Sequence, residues 1–242
     1  MTQNIYDDPA FFEGYSGLGR SVEGLAGAAE WPALRAMLPE LSGLRVADLG
    51  CGFGWFCRYA GEQDAASVQG FDVSEKMLAR ARAETSDPAI SYERADLETI
   101  TLPTTSLDLV YSSLAFHYVE ALERLFGNIH RALVPDGHLV FSIEHPIFMA
   151  SRRPEWMLDA DGNRTWPVDS YQMEGKRTTN WLADGVVKQH RTIGTLLNML
   201  IRQGFTLTHI EDFGPTEEQI AERPELAEER ERPMFLLVSA RR

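Results

Sequence analysis

Cysteine is almost missing from this chain. Cys51 and Cys57 are the only two in 242 residues, too few for a disulfide framework or a cysteine-rich zinc site. Long apolar runs are missing too. A membrane-spanning helix needs roughly eighteen or more consecutive apolar residues, and no such stretch occurs. The opening Met1–Pro9 has neither the basic nor the apolar region of a secretion signal, so a cytoplasmic location is expected. Positive charge is in deficit, with 23 Lys and Arg against 36 Asp and Glu and a formal net charge of −13. Such a balance opposes the sequence-independent attraction that nucleic-acid binding requires. Internal repeats and low-complexity tracts are absent as well. What is present is ordinary globular composition, 44% hydrophobic and 24% charged. The length suits one large domain over 1–242.

The chain is organised around Val46–Cys57. Val46, Ala47, Asp48 and Leu49 read as a short buried strand, Gly50 to Gly54 as a turn too tight for side chains, and Trp55 onward as a helix. A strand that ends in a glycine-rich turn and opens a helix brings bare backbone N–H groups up to a ligand. The spacing is Gly-x-Gly-x-Gly, not the Gly-x-Gly-x-x-Gly of dinucleotide binders. A second short strand, Ala66–Asp72, ends in an acid twenty-two positions past Gly50. That position suits an acceptor for both hydroxyls of a ribose. Asp72 is equally suited to cap the next helix together with Ser74, and the two roles are compatible.

These segments, with three more, resemble the class I S-adenosylmethionine-dependent methyltransferases of small molecules, type 11-like. The resemblance is carried by Asp48–Gly54, by Gly70–Leu78, by Ala95-Asp96-Leu97, by Leu107–Val110 and by Leu133–Gly137. It covers roughly 44–143 in order and spacing. It implies an α/β fold: a doubly wound, Rossmann-like sheet of seven mostly parallel strands, with an N-terminal helical lid and an insertion after strand 5. The parts are then a lid over 1–42, a cofactor-binding core over 43–143, a substrate cap over 144–191 and the rest of the sheet over 192–242. The cofactor is S-adenosylmethionine, S-adenosylhomocysteine is the product, and no metal is called for.

The resemblance also assigns candidate cofactor contacts. They are Asp48, Gly50, Cys51 and Gly52 in the loop and Asp72 with Val73 after the second strand. Met77 is placed at the adenine edge, where core packing is an equal reading. Asp96 falls to the adenine amino group, with Ala95 and Leu97 bordering the ring. Lid residues Tyr15 and Arg20 face the cofactor, with Arg20 a partner for its carboxylate or simply solvated. Tyr6, Tyr15 and Phe116 are candidates to sit near the sulfonium. Ser112, Ser113, Leu114 and His117 follow the fourth strand, beside which cofactor and acceptor meet. Within that group His117 is a candidate base or contact, or a satisfied structural histidine.

Helical spacing is read over Ala26–Leu38, Val119–Leu133 and Thr192–Gln203, and strands over Leu139–Ile143, Phe205–Phe213 and Met234–Ala240, the last one antiparallel. Glu144 to Lys188 holds no periodicity for long, yet it contains Trp156, Trp166 and Trp181. A featureless loop of that length is functional or an excursion. It is read as a cap over the acceptor, with a dimer arm as the alternative, and Val186–His190 as a strand. His145, Tyr171, Trp181 and Arg191 are its candidate substrate contacts, and His190 joins His117 as a candidate catalytic group, while capping or bracing the helix that begins near Thr192 is the stronger reading for at least one of His190 and Arg191. Thr216–Arg232, with seven Glu against three Arg, is expected to be a solvated helix or loop.

The expected activity is methyl transfer to a small acceptor through oxygen, nitrogen or carbon, by a monomer or homodimer without nucleic-acid or membrane partners. Two rivals stand beside it. A nicotinamide-dependent oxidoreductase would use the same strand–loop–helix, and a non-catalytic S-adenosylmethionine-binding module would keep the cofactor site without an acceptor site.

Overall fold

The computed structural model describes residues 3–242. Five strands come first: β1 (Arg45–Leu49), β2 (Ser67–Asp72), β3 (Ile90–Arg94), β4 (Leu107–Ser113) and β5 (Leu133–Glu144). Two hairpins follow, β6 (Met157–Leu158) with β7 (Arg164–Thr165) and β8 (Gly175–Trp181) with β9 (Ala183–His190). The chain then returns to the main sheet with β10 (Thr206–Asp212) and β11 (Phe235–Arg241). The expected seven-stranded sheet is present, in the order β10-β11-β5-β4-β1-β2-β3. Only β11 runs antiparallel to its neighbours.

Both faces of this sheet are covered, so its central strands read as near-continuous apolar runs. Alternate side chains serve opposite faces. Ala47 and Leu49 join Val110, Leu139 and Phe141 in one core, beneath helices spanning Leu122–Ala132 and Ile193–Arg202. Val46 joins Val68, Leu109 and Val140 in the other, beneath Trp55–Glu62 and Trp31–Met37. Strand order reverses between β1 and β4, and a crevice at such a switch point is where open α/β sheets bind ligands.

The lid segment is more broken than its apolar spacing suggests. Helices span Pro9–Ser16, Gly19–Val22 and Trp31–Met37, and Gly24–Gly27 is a 3-10 turn. The helix expected from Val119 begins only at Leu122, because Leu114 takes a left-handed φ of 54° and Phe116–Tyr118 coil into a 3-10 turn. Pro135-Asp136-Gly137 is a bulge inside β5, where pairing steps from Leu107↔Leu133 to Leu109↔His138.

The stretch after β5 is not featureless. A short helix, Pro146–Ala150, precedes the two hairpins. The expected strand over Val186–His190 lies within β9, while β8 escapes notice because Lys176, Thr178 and Asn180 face solvent. The tip of the β8–β9 hairpin reaches the N-terminal segment. Trp181 packs edge-on against Phe11 and Tyr15, with centroids 5.5 and 6.4 Å away, and Val187 N donates to Gln3 Oε1 at 2.9 Å.

Thr216–Arg232 is corrected from a solvated segment to a seam between two parts of the chain. On one side, Gln219 and Arg223 donate to the carbonyls of Ala29 and Gly27. On the other, Glu228 accepts from Trp156 Nε1 at 2.9 Å, and the buried Arg232 lies over the rings of Phe148 and Trp166 at 4.7 and 4.4 Å.

Candidate active site

The glycine loop that leaves β1 is held in shape by the end of β2. Gly50 N and Cys51 N both donate to Phe71 O, at 2.7 and 2.9 Å. Gly50 and Gly52 have φ of 84° and 52°, in the left-handed region that costs other residues. A Cβ at Gly50 would collide with Ala115. At Gly52 it would meet no protein atom within 4 Å, because that face opens onto a cavity of about 1220 Å³.

The cavity runs along the carboxyl ends of the strands. Asp72, Val73, Met77, Asp96 and Leu97 line one end, and Asp48 lies beside the loop. Asp72 is buried, with Oδ2 accepting from Gly52 N and Oδ1 from Ser74 N, each at 2.9 Å. Burial raises its pKa against the opposing pull of those N–H groups. An ionised carboxylate has about four acceptor positions, so capacity remains for ligand hydroxyls. Ser74 caps the helix Glu75–Ala83 by accepting from Met77 N, and its hydroxyl donates to Asp7 Oδ1 at 2.6 Å. Thus the N-terminal segment is fastened two residues from Asp72. Asp48 is pushed up to about 7, first by burial and then by Asp72, with the Cys57 thiol opposing.

Over the loop, Tyr6, Tyr15 and Arg20 also line the cavity. Arg20 is paired with the buried Glu30 at 3.1 Å, so it is held rather than solvated.

Past the end of β4 the cavity turns toward Ser113, Leu114, His117 and Tyr118, then toward Glu144, Trp181 and Lys188. His117 is buried, and its Nδ1 accepts from Glu144 N at 3.4 Å. Burial, aided by the charges of Lys188 and Arg191, holds its pKa well below the usual histidine value. The ring is therefore neutral at pH 7. Lys188 Nζ donates to Glu144 Oε1 at 2.5 Å and lies 5.2 Å from the Trp181 ring centroid. The hydroxyls of Tyr6 and Tyr118 are 3.2 Å apart, and burial raises the pKa of both.

Several residues expected here lie elsewhere. His190 is buried outside the cavity wall, with Nε2 on Tyr171 O at 2.8 Å. Arg191 donates to Val119 O and Glu120 O at 2.6 and 2.8 Å, bracing the segment behind His117. Tyr171 accepts from Ile193 N. His145 caps its short helix by accepting from Ile147 N, and its Nε2 meets Asp212 at 2.7 Å. Ser112 donates to Leu49 O at 2.6 Å, behind the loop, and Ala95 does not reach the cavity. Phe116 is packed in the core against Phe126 and Phe141. In each case a backbone partner, an ion pair or the core has claimed the side chain.

Glu144 and Lys188 carry a positional signal in the sequence. Glu144 ends an apolar strand as Asp72 does, and Lys188 shares the inward parity of Val186 and His190 on β9. Among the described residues, no cluster of three or more His, Cys, Asp or Glu could hold a metal ion, and no helix is long and apolar enough to cross a membrane.

Strand order, loop and acids together define a doubly wound α/β protein with a cavity at its switch point. The "Methyltransferase domain" family model matches residues 47–141. The chain is 67% identical to an S-adenosylmethionine-dependent methyltransferase of Mesorhizobium loti. That crystal structure superposes with a TM-score of 0.88, covering 90% of this chain and 100% of that one. A Listeria monocytogenes chain is 39% identical, with a TM-score of 0.81 and coverage of 88% and 98%. A malonyl-[acyl-carrier protein] O-methyltransferase of Pectobacterium atrosepticum is 38% identical over 109 residues, 45% of this chain and 42% of that protein. This chain belongs to the S-adenosylmethionine-dependent methyltransferases. It is an enzyme of that class, with the Rossmann-like methyltransferase fold.

Proposed function

We propose that this enzyme methylates a small molecule held between the 144–191 segment and the N-terminal segment, in the reducing cytoplasm that its two free cysteines suit. One observation carries the reading: a single cavity joins Asp72 and the glycine loop to His117, Glu144 and Lys188. Its volume of about 1220 Å³ lies just above the usual range for one small-ligand pocket, as two ligands side by side require.

The residues present fit the cofactor. The open face at Gly52 admits a ligand where a side chain would project. Asp72 would hold the ribose hydroxyls, Asp96 the adenine amino group, and Val73, Met77 and Leu97 the flat faces of the base. Arg20 would hold the cofactor carboxylate, and Asp48 suits its ammonium. Tyr6 and Tyr15 would bring their ring electrons toward the sulfonium. When bound, S-adenosylmethionine supplies an electrophilic methyl group.

The chain's own work is to align the acceptor and exclude water. Trp181, fastened onto Phe11 and Tyr15, shields the meeting point from solvent. His117 is a donor there. Its Nδ1 lone pair is occupied by Glu144 N, so the proton of the neutral ring sits on Nε2.

The test is to incubate the enzyme with methyl-labelled S-adenosylmethionine and separate pools of metabolites, RNA and protein. The label is expected in the metabolite pool. Label confined to RNA or protein would overturn a small-molecule acceptor.

A further inference from the structure

The two ends of the cavity carry opposite charge. The end under β1–β3 presents Asp72 and Asp96. The wall supplied after β5 presents cations in excess, although the chain as a whole is at −13. These cations occupy two places. Lys188 lies deep, 4% exposed, against Glu144. Arg152, Arg153 and Lys176 form an exposed rim. No partner for their side chains is found among the described residues, whereas the neighbouring Arg177 is buried and bound to the carbonyls of Ala150, Ser170 and Met173. Unpaired cations converging on a cavity mouth raise the local concentration of anions and steer them inward.

A second observation concerns proton acceptance. Past the end of β4, the His117 lone pair is taken by Glu144 N, and Glu144 Oε1 accepts from Lys188 Nζ. The hydroxyls of Tyr6 and Tyr118 bond to each other. This wall is richer in donors than in acceptors: the one His117 lone pair is committed, and Glu144 is held in an ion pair by Lys188. An alcohol or a protonated amine must lose a proton to become a methyl product, but a carboxylate need not.

We propose that the acceptor is a carboxylate carrying a second anionic group, a reading that rests on the methyl-transfer function proposed above. The carboxylate to be methylated sits at Lys188 and His117, and the second anion sits at the rim of Arg152, Arg153 and Lys176. A lone pair on one carboxylate oxygen forms the O–C bond to the methyl carbon. The methyl–sulfur bond breaks with its electron pair going to sulfur. A neutral methyl ester and S-adenosylhomocysteine result, and no proton changes hands. Loss of the negative charge also weakens the product's hold on Lys188, which favours release.

The test uses the full chain saturated with S-adenosylhomocysteine. Aliphatic dicarboxylates from malonate to suberate are titrated calorimetrically at low salt, beside the diols and diamines of the same length. At least one dicarboxylate is expected to bind tenfold or more tighter than its diol and diamine. The triple variant Arg152→Gln, Arg153→Gln, Lys176→Gln changes only exposed side chains, so it keeps the fold. It should weaken that binding at least tenfold, flatten its salt dependence and leave S-adenosylhomocysteine affinity unchanged. With labelled S-adenosylmethionine, the product methyl should be released as methanol by alkali. Dicarboxylates no better than diols, an unaltered triple variant, or alkali-stable label would each overturn the inference while S-adenosylhomocysteine still binds. Failure of S-adenosylhomocysteine itself to bind would instead sink the underlying methyl-transfer reading.

Discussion

The Asp72 carboxylate accepts from Gly52 N at 2.9 Å, tying the acid at the end of β2 to the middle of the loop that leaves β1. Its other oxygen holds Ser74 N. Asp72 therefore shapes the loop, and in the proposed site it would also offer acceptors to the ribose. Asp72→Ala is expected to weaken S-adenosylhomocysteine binding by about 1.5–3 kcal/mol, the range for hydrogen bonds to a charged group. Stability should fall with it, because the buried Ser74 N–H and the half-buried Gly52 N–H lose their partner. Titration calorimetry showing wild-type affinity in a folded variant would remove Asp72 from the site.

Gly52 separates backbone strain from ligand approach. No protein atom lies within 4 Å of a Cβ built there, so Gly52→Ala costs the protein only the left-handed backbone, about 1–2 kcal/mol. The variant should fold, with a native circular dichroism spectrum and a modestly lower Tm. Cofactor affinity should drop tenfold or more, because the new methyl projects into the cavity. Unchanged affinity would reduce the loop to a plain connection.

Asp48 should make the protein more stable in mild acid than in mild base. Its folded pKa of about 7 lies above the unfolded value, so the folded state binds more protons across the interval between them. Stability from this group falls as pH rises from about 4 to 7, and the cost persists above that window. At full ionisation the cost is of order 4 kcal/mol. Asp48→Asn should therefore be more stable than wild type at pH 8, by roughly 1–3 kcal/mol once the lost Cys57 contact is allowed for. The gap should close by about pH 4. Urea unfolding across this range checks it, and a gap independent of pH would contradict the buried, proton-hungry carboxyl.

Arg191 is a brace. Its guanidinium holds Val119 O and Glu120 O, and through them the segment that carries His117. Arg191→Ala should lose roughly 2–4 kcal/mol of stability, with S-adenosylhomocysteine affinity within about 1 kcal/mol of wild type. Full stability combined with lost turnover would return Arg191 to the acceptor site.

The glycine loop and the acid beside it were legible because backbone geometry dictates their placement, whereas Ser112 and Ala95 fall away from the cavity. A left-handed turn after a buried strand demands glycines at Gly50 and Gly52, and parallel pairing of β1 with β2 puts Asp72 beside them. The acceptor half was not legible from residue type. His190, Arg191, His145 and Tyr171 look chemical, yet each is consumed by a backbone group or an ion pair that only the folded chain supplies. Glu144 and Lys188 stand 44 positions apart, and only the return of the β8–β9 hairpin over the sheet brings them together. The hairpin itself was hidden because β8 shows solvent mostly polar side chains. The 216–232 segment misled for a similar reason. Its many charges suggested solvation, but Glu229 and Arg232 are buried as a pair 2.7 Å apart.

Cofactor choice is most directly read by titrating the purified chain with S-adenosylhomocysteine and, separately, with NADH. The site built from Gly50, Gly52, Asp72 and Asp96 should take up S-adenosylhomocysteine to saturation at one per chain, raise the Tm and leave NADH unbound. Saturable NADH binding with no response to S-adenosylhomocysteine would contradict the assignment and favour the nicotinamide-dependent oxidoreductase that shares this strand–loop–helix.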